Sequence, residues 1–136
     1  MKILFDTNII LDVFLTREPF QHEAALLIER VVTGKVRGVI CADSITTIFY
    51  FGRKLVGRDK TIHLLKTLFP TFEIAPIDRA IIDRALNTDE FNDFEDAVIH
   101  ASALQVGANG IVTRDVNDFK ESKLTIYSPK ELLSIF

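Results

Sequence analysis

Three aspartates stand where short apolar runs end. Asp6 follows Ile3-Leu4-Phe5, and Asp115 lies two residues after Ile111-Val112-Thr113. Asp96 falls in the first turn of the amphipathic stretch that precedes the second run. If the two runs are strands of one parallel sheet, residues far apart in the chain meet beyond its carboxyl edge. Carboxylates gathered there repel, and each raises its neighbours' pKa. A hard divalent cation removes that penalty. The donors are oxygens and no His/Cys set has zinc spacing, so the residues suggest Mg²⁺ or Mn²⁺. Such an ion lowers the pKa of a bound water, polarises a phosphoryl oxygen and stabilises the leaving oxygen; two ions about 3.5–4 Å apart do all three. The chemistry is in-line hydrolysis of a phosphodiester. Each acid also has a plainer role: Asp6 as a helix N-cap, Asp96 as a charge near a helix N-terminus, Asp115 as a turn residue. Their convergence is what favours the ion.

The elements that must position them follow from apolar periodicity. Lys2 to Phe5 is a strand, after which Ile9, Ile10, Val13 and Phe14 recur at helical spacing. A second helix runs from Phe20 to Val32 and stops at Gly34. Arg37 to Cys41 is a buried strand, and Ser44 reads as the N-cap of a helix through Phe49 to Leu55. Lys60 to Phe69 is a helix closed by Pro70, Phe72 to Ile77 a strand, and Asp78 the N-cap of a helix from Arg79 to Asn87. After an acidic loop comes the helix Phe94 to Val106, then strands Ile111 to Thr113 and Leu124 to Tyr127. Pro129 opens a last helix that ends in Ile135 and Phe136. Strands alternating with helices predict an α/β fold: a central, mainly parallel sheet with helices on both faces, in one domain over residues 1–136.

Bulk properties bound the function. Hydrophobic residues make up 48% of the chain and mean hydropathy is +0.22, which excludes a disordered segment. The net charge of −3 speaks against a nonspecific nucleic-acid coat but not against a nuclease with concentrated acids. The lone Cys41 lies in an apolar run and reads as a small buried hydrophobe, in keeping with a reducing compartment. The apolar start is cut short by Asp6, so it is not a signal peptide, and no run reaches membrane-spanning length. The expectation is a soluble, cytoplasmic protein.

Ile3-Leu4-Phe5-Asp6-Thr7-Asn8, Phe94-Glu95-Asp96-Ala97, Ile111-Val112-Thr113-Arg114-Asp115-Val116-Asn117-Asp118-Phe119 and the ending Ser128-Pro129-Lys130-Glu131-Leu132-Leu133 together resemble the PIN-domain family. Within it they resemble the toxin-type (VapC-like) ribonucleases of bacterial toxin–antitoxin pairs. The ordered set, spanning essentially the whole chain, carries the resemblance. It implies a three-layer α/β/α sandwich, a Mg²⁺ or Mn²⁺ site, cleavage of single-stranded RNA and an antitoxin protein as partner. It makes Asp6, Asp96 and Asp115 catalytic metal ligands and Asp118 an auxiliary acid on the metal. Asn8 and Thr113 become supports that fix carboxylates or the attacking water. One position departs: where the family carries an acid on the helix after the second strand, this chain has Thr47, with Asp43, Asp93 or Glu95 as substitutes. That departure motivates a second reading, a catalytically weak or inactive module that binds RNA or protein.

Other residues carry two readings each. Arg53, Lys54, Arg58 and Lys60 form a basic patch that either guides an RNA backbone or is a solvated helix end. Arg114 either touches phosphate or pairs with a neighbouring acid. His100, four residues after Asp96, reads as an i,i+4 partner of that carboxylate or an outer-shell partner of the ion. Phe14, Phe49, Tyr50 and Phe51 lie on helices that form a homodimer face in similar proteins, or else cover the core. A phosphatase would want an Asp where Asn8 stands, and a phospho-accepting receiver would want a Lys that no strand end supplies.

Overall fold

The computed structural model describes residues 1–136. Five parallel strands form one sheet: β1 (Lys2–Phe5), β2 (Arg37–Cys41), β3 (Phe72–Ala75), β4 (Gly110–Val112) and β5 (Thr125–Tyr127), in the order β3-β2-β1-β4-β5. β1 is central, and β4 pairs with it directly, with Ile3 opposite Gly110 and Phe5 opposite Val112. That register sets the residues after β1 beside those after β4.

Alternation along β1 divides the core, because successive side chains point to opposite faces. Ile3 and Phe5 face a cluster with Ile9, Ile10, Leu27, Ile40, Ile48 and Leu132, while Leu4 faces one with Val39, Ile81, Val98, Ile99 and Ile111. The first face is covered by α1 (Thr7–Phe14), α2 (Gln21–Val32), α3 (Ala42–Val56), α4 (Arg58–Leu68) and α7 (Pro129–Leu133). The second is covered by α5 (Arg79–Leu86) and α6 (Phe94–Gln105). The result is the three-layer α/β/α sandwich expected. On α6 every residue from Ala97 to Ala103 is buried, so this helix is sunk into its layer and Asp96 is held at the layer's edge.

Most element ends agree with the sequence reading. Asp78 caps α5 through Ile81 N–H, and Ser128 and Glu131 make a reciprocal capping box on α7. Ser44 is a correction. α3 starts at Ala42, straight out of the extended Cys41, and Ser44 is fully buried inside it. The stretch after Leu68 tightens into a 3₁₀ turn (Phe69–Thr71) instead of ending at Pro70, and another 3₁₀ turn (Val116–Phe119) follows Asp115. β3 stops at Ala75 and α7 at Leu133, each short of expectation. Gly57, at φ +87°, makes the reversal between α3 and α4, a conformation that only glycine adopts without strain. Cys41 is fully buried, and burial raises its thiol pKa, so it is inert as expected. No helix is long and apolar enough to cross a membrane.

Candidate active site

The site begins where β1 hands over to α1. Asp6 N–H donates to Val112 O (3.0 Å), which extends the β1–β4 ladder by one residue. The Asp6 side chain then accepts Thr7 N–H (2.8 Å), capping α1. The capping role and the site role therefore coexist in one carboxylate, which is 6% exposed. From the neighbouring strand, the Thr113 hydroxyl donates to Asp6 Oδ2 (2.7 Å) and accepts Asp115 N–H (3.0 Å). The Asn8 amide donates to Asp115 Oδ2 (3.1 Å) and lies 3.4 Å from both Asp6 Oδ2 and Thr113 Oγ1. Asp6 and Asp115 are thus tied together by the two residues expected to support them.

Asp96 comes from the other layer. Asp93 caps α6 through Glu95 N–H (2.8 Å), which sets the first turn at the sheet's carboxyl edge. Burial, and then the charges of Asp6, Asp93, Asp118 and Glu95, push the Asp96 carboxyl up to about 7. Burial likewise raises Asp6, against the lowering by Thr113 and Thr7 N–H, and Asp115 and Asp118 raise it further. The acids therefore share one field. Asp96 and Asp118 line an open cleft of about 380 Å³ with Glu90, Asn92, Asp93, Asn117 and Lys120, without a single hydrophobic residue.

These groups suit a hard cation in kind, since every donor is an oxygen and the buried Asp6 accepts only neutral donors. The protein supplies no guanidinium to them: Arg114 turns away and closes on Asp12 with two bonds (2.6 and 3.1 Å), its plane 3.9 Å over the Phe20 ring. The spacing is wider than the kind would suggest. No three His, Cys, Asp or Glu side chains already stand close enough to hold an ion. Asp6 and the exposed Asp115, held by Asn8, make a fixed floor, and the exposed Asp118 and half-buried Asp96 an adjustable rim. It can concentrate positive charge in an acidic polar cleft whose one basic residue is Lys120.

Several candidate residues lie elsewhere than expected. Thr47 is half-buried on α3 and bonds to none of the acids. α3 reaches the site through Ser44 instead: the Thr7 hydroxyl donates to Ser44 Oγ (2.7 Å) and lies 3.4 Å from Glu95 Oε1. Burial, then Asp43, Asp6 and Asp93, raise the Glu95 pKa, so Asp43 and Glu95 belong to the acids' field. Neither Thr7 nor Ser44 stands out in the sequence as a site residue. The signal available is a hydroxyl in the first turn of α1 and of α3, the helices that follow β1 and β2. His100 is not a partner of Asp96, for its Nε2 lies 2.7 Å from Ser122 Oγ. Lys54 sits over the Tyr50 ring (4.3 Å) and Arg58 pairs with Asp59 (3.2 Å), leaving Arg53 and Lys60 of that patch exposed with neither kind of partner.

Comparisons with known proteins bear on this arrangement. A family model described as PIN domain matches residues 2–117. The chain is 26% identical over 118 residues to Ribonuclease VapC1 of Aquifex aeolicus (strain VF5), covering 84% of this chain and 81% of that protein. Among solved structures, it is similar to a chain of a toxin–antitoxin complex from Klebsiella pneumoniae, with TM-score 0.72 and 26% identity, covering 93% of this chain and 97% of that one. It also shares the fold of a chain of VapBC-1 from nontypeable Haemophilus influenzae, with TM-score 0.71 and 18% identity, covering 96% and 99%.

Proposed function

The chain belongs to the PIN-domain family, and from that premise we propose that it is a Mg²⁺- or Mn²⁺-dependent endoribonuclease cutting single-stranded RNA, the toxin of a toxin–antitoxin pair. The observation that carries the proposal is the link Asp6–Thr113–Asn8–Asp115, which fixes two carboxylates from separate strands on one floor. Asp6, Asp96, Asp115 and Asp118 would hold the ion. The exposed rim acids turn inward at small cost. The bound ion supplies an acidified water and stabilises charge on the phosphoryl oxygens.

The chain's own residues do the rest. Thr113 and Asn8 keep the Asp6 and Asp115 carboxylates oriented, as outer-shell donors do. Glu95, Asp43 and Ser44 offer oxygens on the α3 side in place of the acid that Thr47 lacks. In the reaction, water oxygen bonds to phosphorus, the bond to the leaving ribose oxygen breaks, and a proton ends on that oxygen. The test is cleavage of single-stranded RNA by the purified chain with Mg²⁺ or Mn²⁺, its loss in EDTA, and its loss in Asp6→Asn. Retained cleavage in that variant removes the mechanism.

The partner proposed is an antitoxin protein, supported by the likeness to a chain of the toxin–antitoxin complex from Klebsiella pneumoniae. A homodimer and a cytoplasmic location complete the proposal, with residues 1–136 acting as one domain. A second reading rests on Thr47 and on the wide spacing of the acids: a module that binds RNA or protein without turnover. It expects metal-independent binding with no cleavage, and Thr47→Glu then creates activity.

A further inference from the structure

Behind the acid cleft, α5, α6 and the segment after the second 3₁₀ turn enclose a separate cavity of about 100 Å³. Glu90 lines both spaces, and Ala97 of the cavity is the neighbour of Asp96 in the cleft. His100 sits in the cavity wall, 5% exposed, with its ring 4.9 Å from that of Phe91. Its Nε2 lies 2.7 Å from Ser122 Oγ, which also accepts Leu124 N–H (2.9 Å). Its Nδ1 has no protein partner and is not sealed from solvent.

Two cations, Arg84 and Lys123, share the lining, and neither joins an ion pair of the protein. Glu90 is the only carboxylate there, so the lining carries a net positive charge on a chain of net charge −3. An unpartnered imidazole nitrogen and two unpaired cations in one lining make a site for an anion. A phosphate group fits the volume. The position relative to the acids matters too. His100 lies four residues along α6 from Asp96, about 6 Å of helix rise. That is comparable to one nucleotide step of an extended strand.

We propose that this cavity receives a backbone phosphate of the RNA strand, adjacent to the phosphate at the acid cleft. The proposal rests on the RNA-cleaving reading of the cleft. It gives the strand the cationic contact that the acids and the turned-away Arg114 do not provide.

The test compares the full chain with its R84Q/K123Q variant. Both replaced side chains are exposed, so thermal unfolding should match. Anisotropy of labelled single-stranded RNA is followed across salt concentrations, in an Asp6→Asn background so that no cleavage competes. Loss of this one phosphate contact flattens the log–log salt slope by about 0.7. A slope that is unchanged overturns the proposal, even if RNA is still cleaved by the unsubstituted chain, in which case the nuclease reading stands. A flattened slope with no cleavage by the unsubstituted chain keeps the cavity as an RNA-phosphate site and removes the nuclease reading. Titration of ¹⁵N-labelled protein with inorganic phosphate locates the contact: His100 ring resonances should shift, and the double variant should abolish the shift. A His100 shift with an unchanged RNA slope marks a site for free phosphate and again overturns the proposal.

Discussion

Thr113 gives its hydroxyl proton to Asp6 at 2.7 Å while the same oxygen receives Asp115 N–H at 3.0 Å. One buried hydroxyl thereby sets the direction of a carboxylate and the path of the backbone that carries another. Thr113→Val keeps the volume and removes both bonds. RNA cleavage is expected to fall about 10–100-fold, the usual cost of losing an outer-shell partner. Stability should fall by about 1–2 kcal/mol. Single-turnover cleavage and denaturant unfolding measure the two, and full activity in the variant would detach Thr113 from the site.

The acid field makes stability depend on pH in the ion-free protein. Asp96 ordinarily titrates at 3.8 and is pushed up to about 7 in the folded chain. The folded state thus holds this proton more tightly than the unfolded state. Stability falls as pH rises from about 4 to about 7, then levels off. Asp6, also raised, adds to the same direction. Asp96→Asn removes its part of that loss, so its melting temperature relative to the parent should climb across this window. Millimolar Mg²⁺ should close the gap by stabilising the parent alone. Parallel pH profiles for the two proteins would contradict the shared field.

Arg114 and Asp115 are adjacent in the chain yet part in space. Asp115 meets Asn8, while Arg114 reaches across to Asp12, which is fully buried. Arg114→Ala strands that carboxylate with only Arg17, 3.9 Å away. The expected loss is about 3 kcal/mol of stability, the lower end for a broken buried pair. Chemical denaturation measures it. A variant of unchanged stability with weakened RNA binding would restore Arg114 to the role of a phosphate contact.

Tyr50 and Phe51 stand 49% and 39% exposed on α3, their rings packed edge-on at 5.4 Å, with Leu55 69% exposed one turn on. Phe14 and Phe49 are instead packed partly into the core. The exposed pair is therefore the part of the aromatic group free to meet a second copy. Phe51→Glu is expected to convert a dimer to a monomer in light scattering, with thermal unfolding of the subunit little changed. A monomeric parent chain would end the homodimer proposal.

The fold was legible because its strands are short apolar runs with clear stops, and the order of acids along them foretold which strand ends should meet. Asp6 and Asp115 could be placed this way, each within three residues of a strand end, whereas Asn8 and Thr113 entered through the family resemblance. What the sequence hid depends on contacts between layers. Ser44 has the look of an N-cap, yet the helix begins earlier, at Ala42, and buries it against Thr7. His100 has the spacing to meet Asp96, but the deep seat of α6 turns it toward Ser122. Helical spacing says which residues share a face, and packing decides what that face meets.

The central place of β1 has a consequence for synthesis. The first strand made carries Asp6, but its neighbour on one side is β4, and Thr113 follows Asp6 by 107 residues. A nascent chain still waiting for Gly110 to leave the ribosome has neither Thr113 nor Asp115 to complete that floor. A protein that cuts RNA from such a floor cannot turn on its own message until the ribosome has released the residues through Asp115.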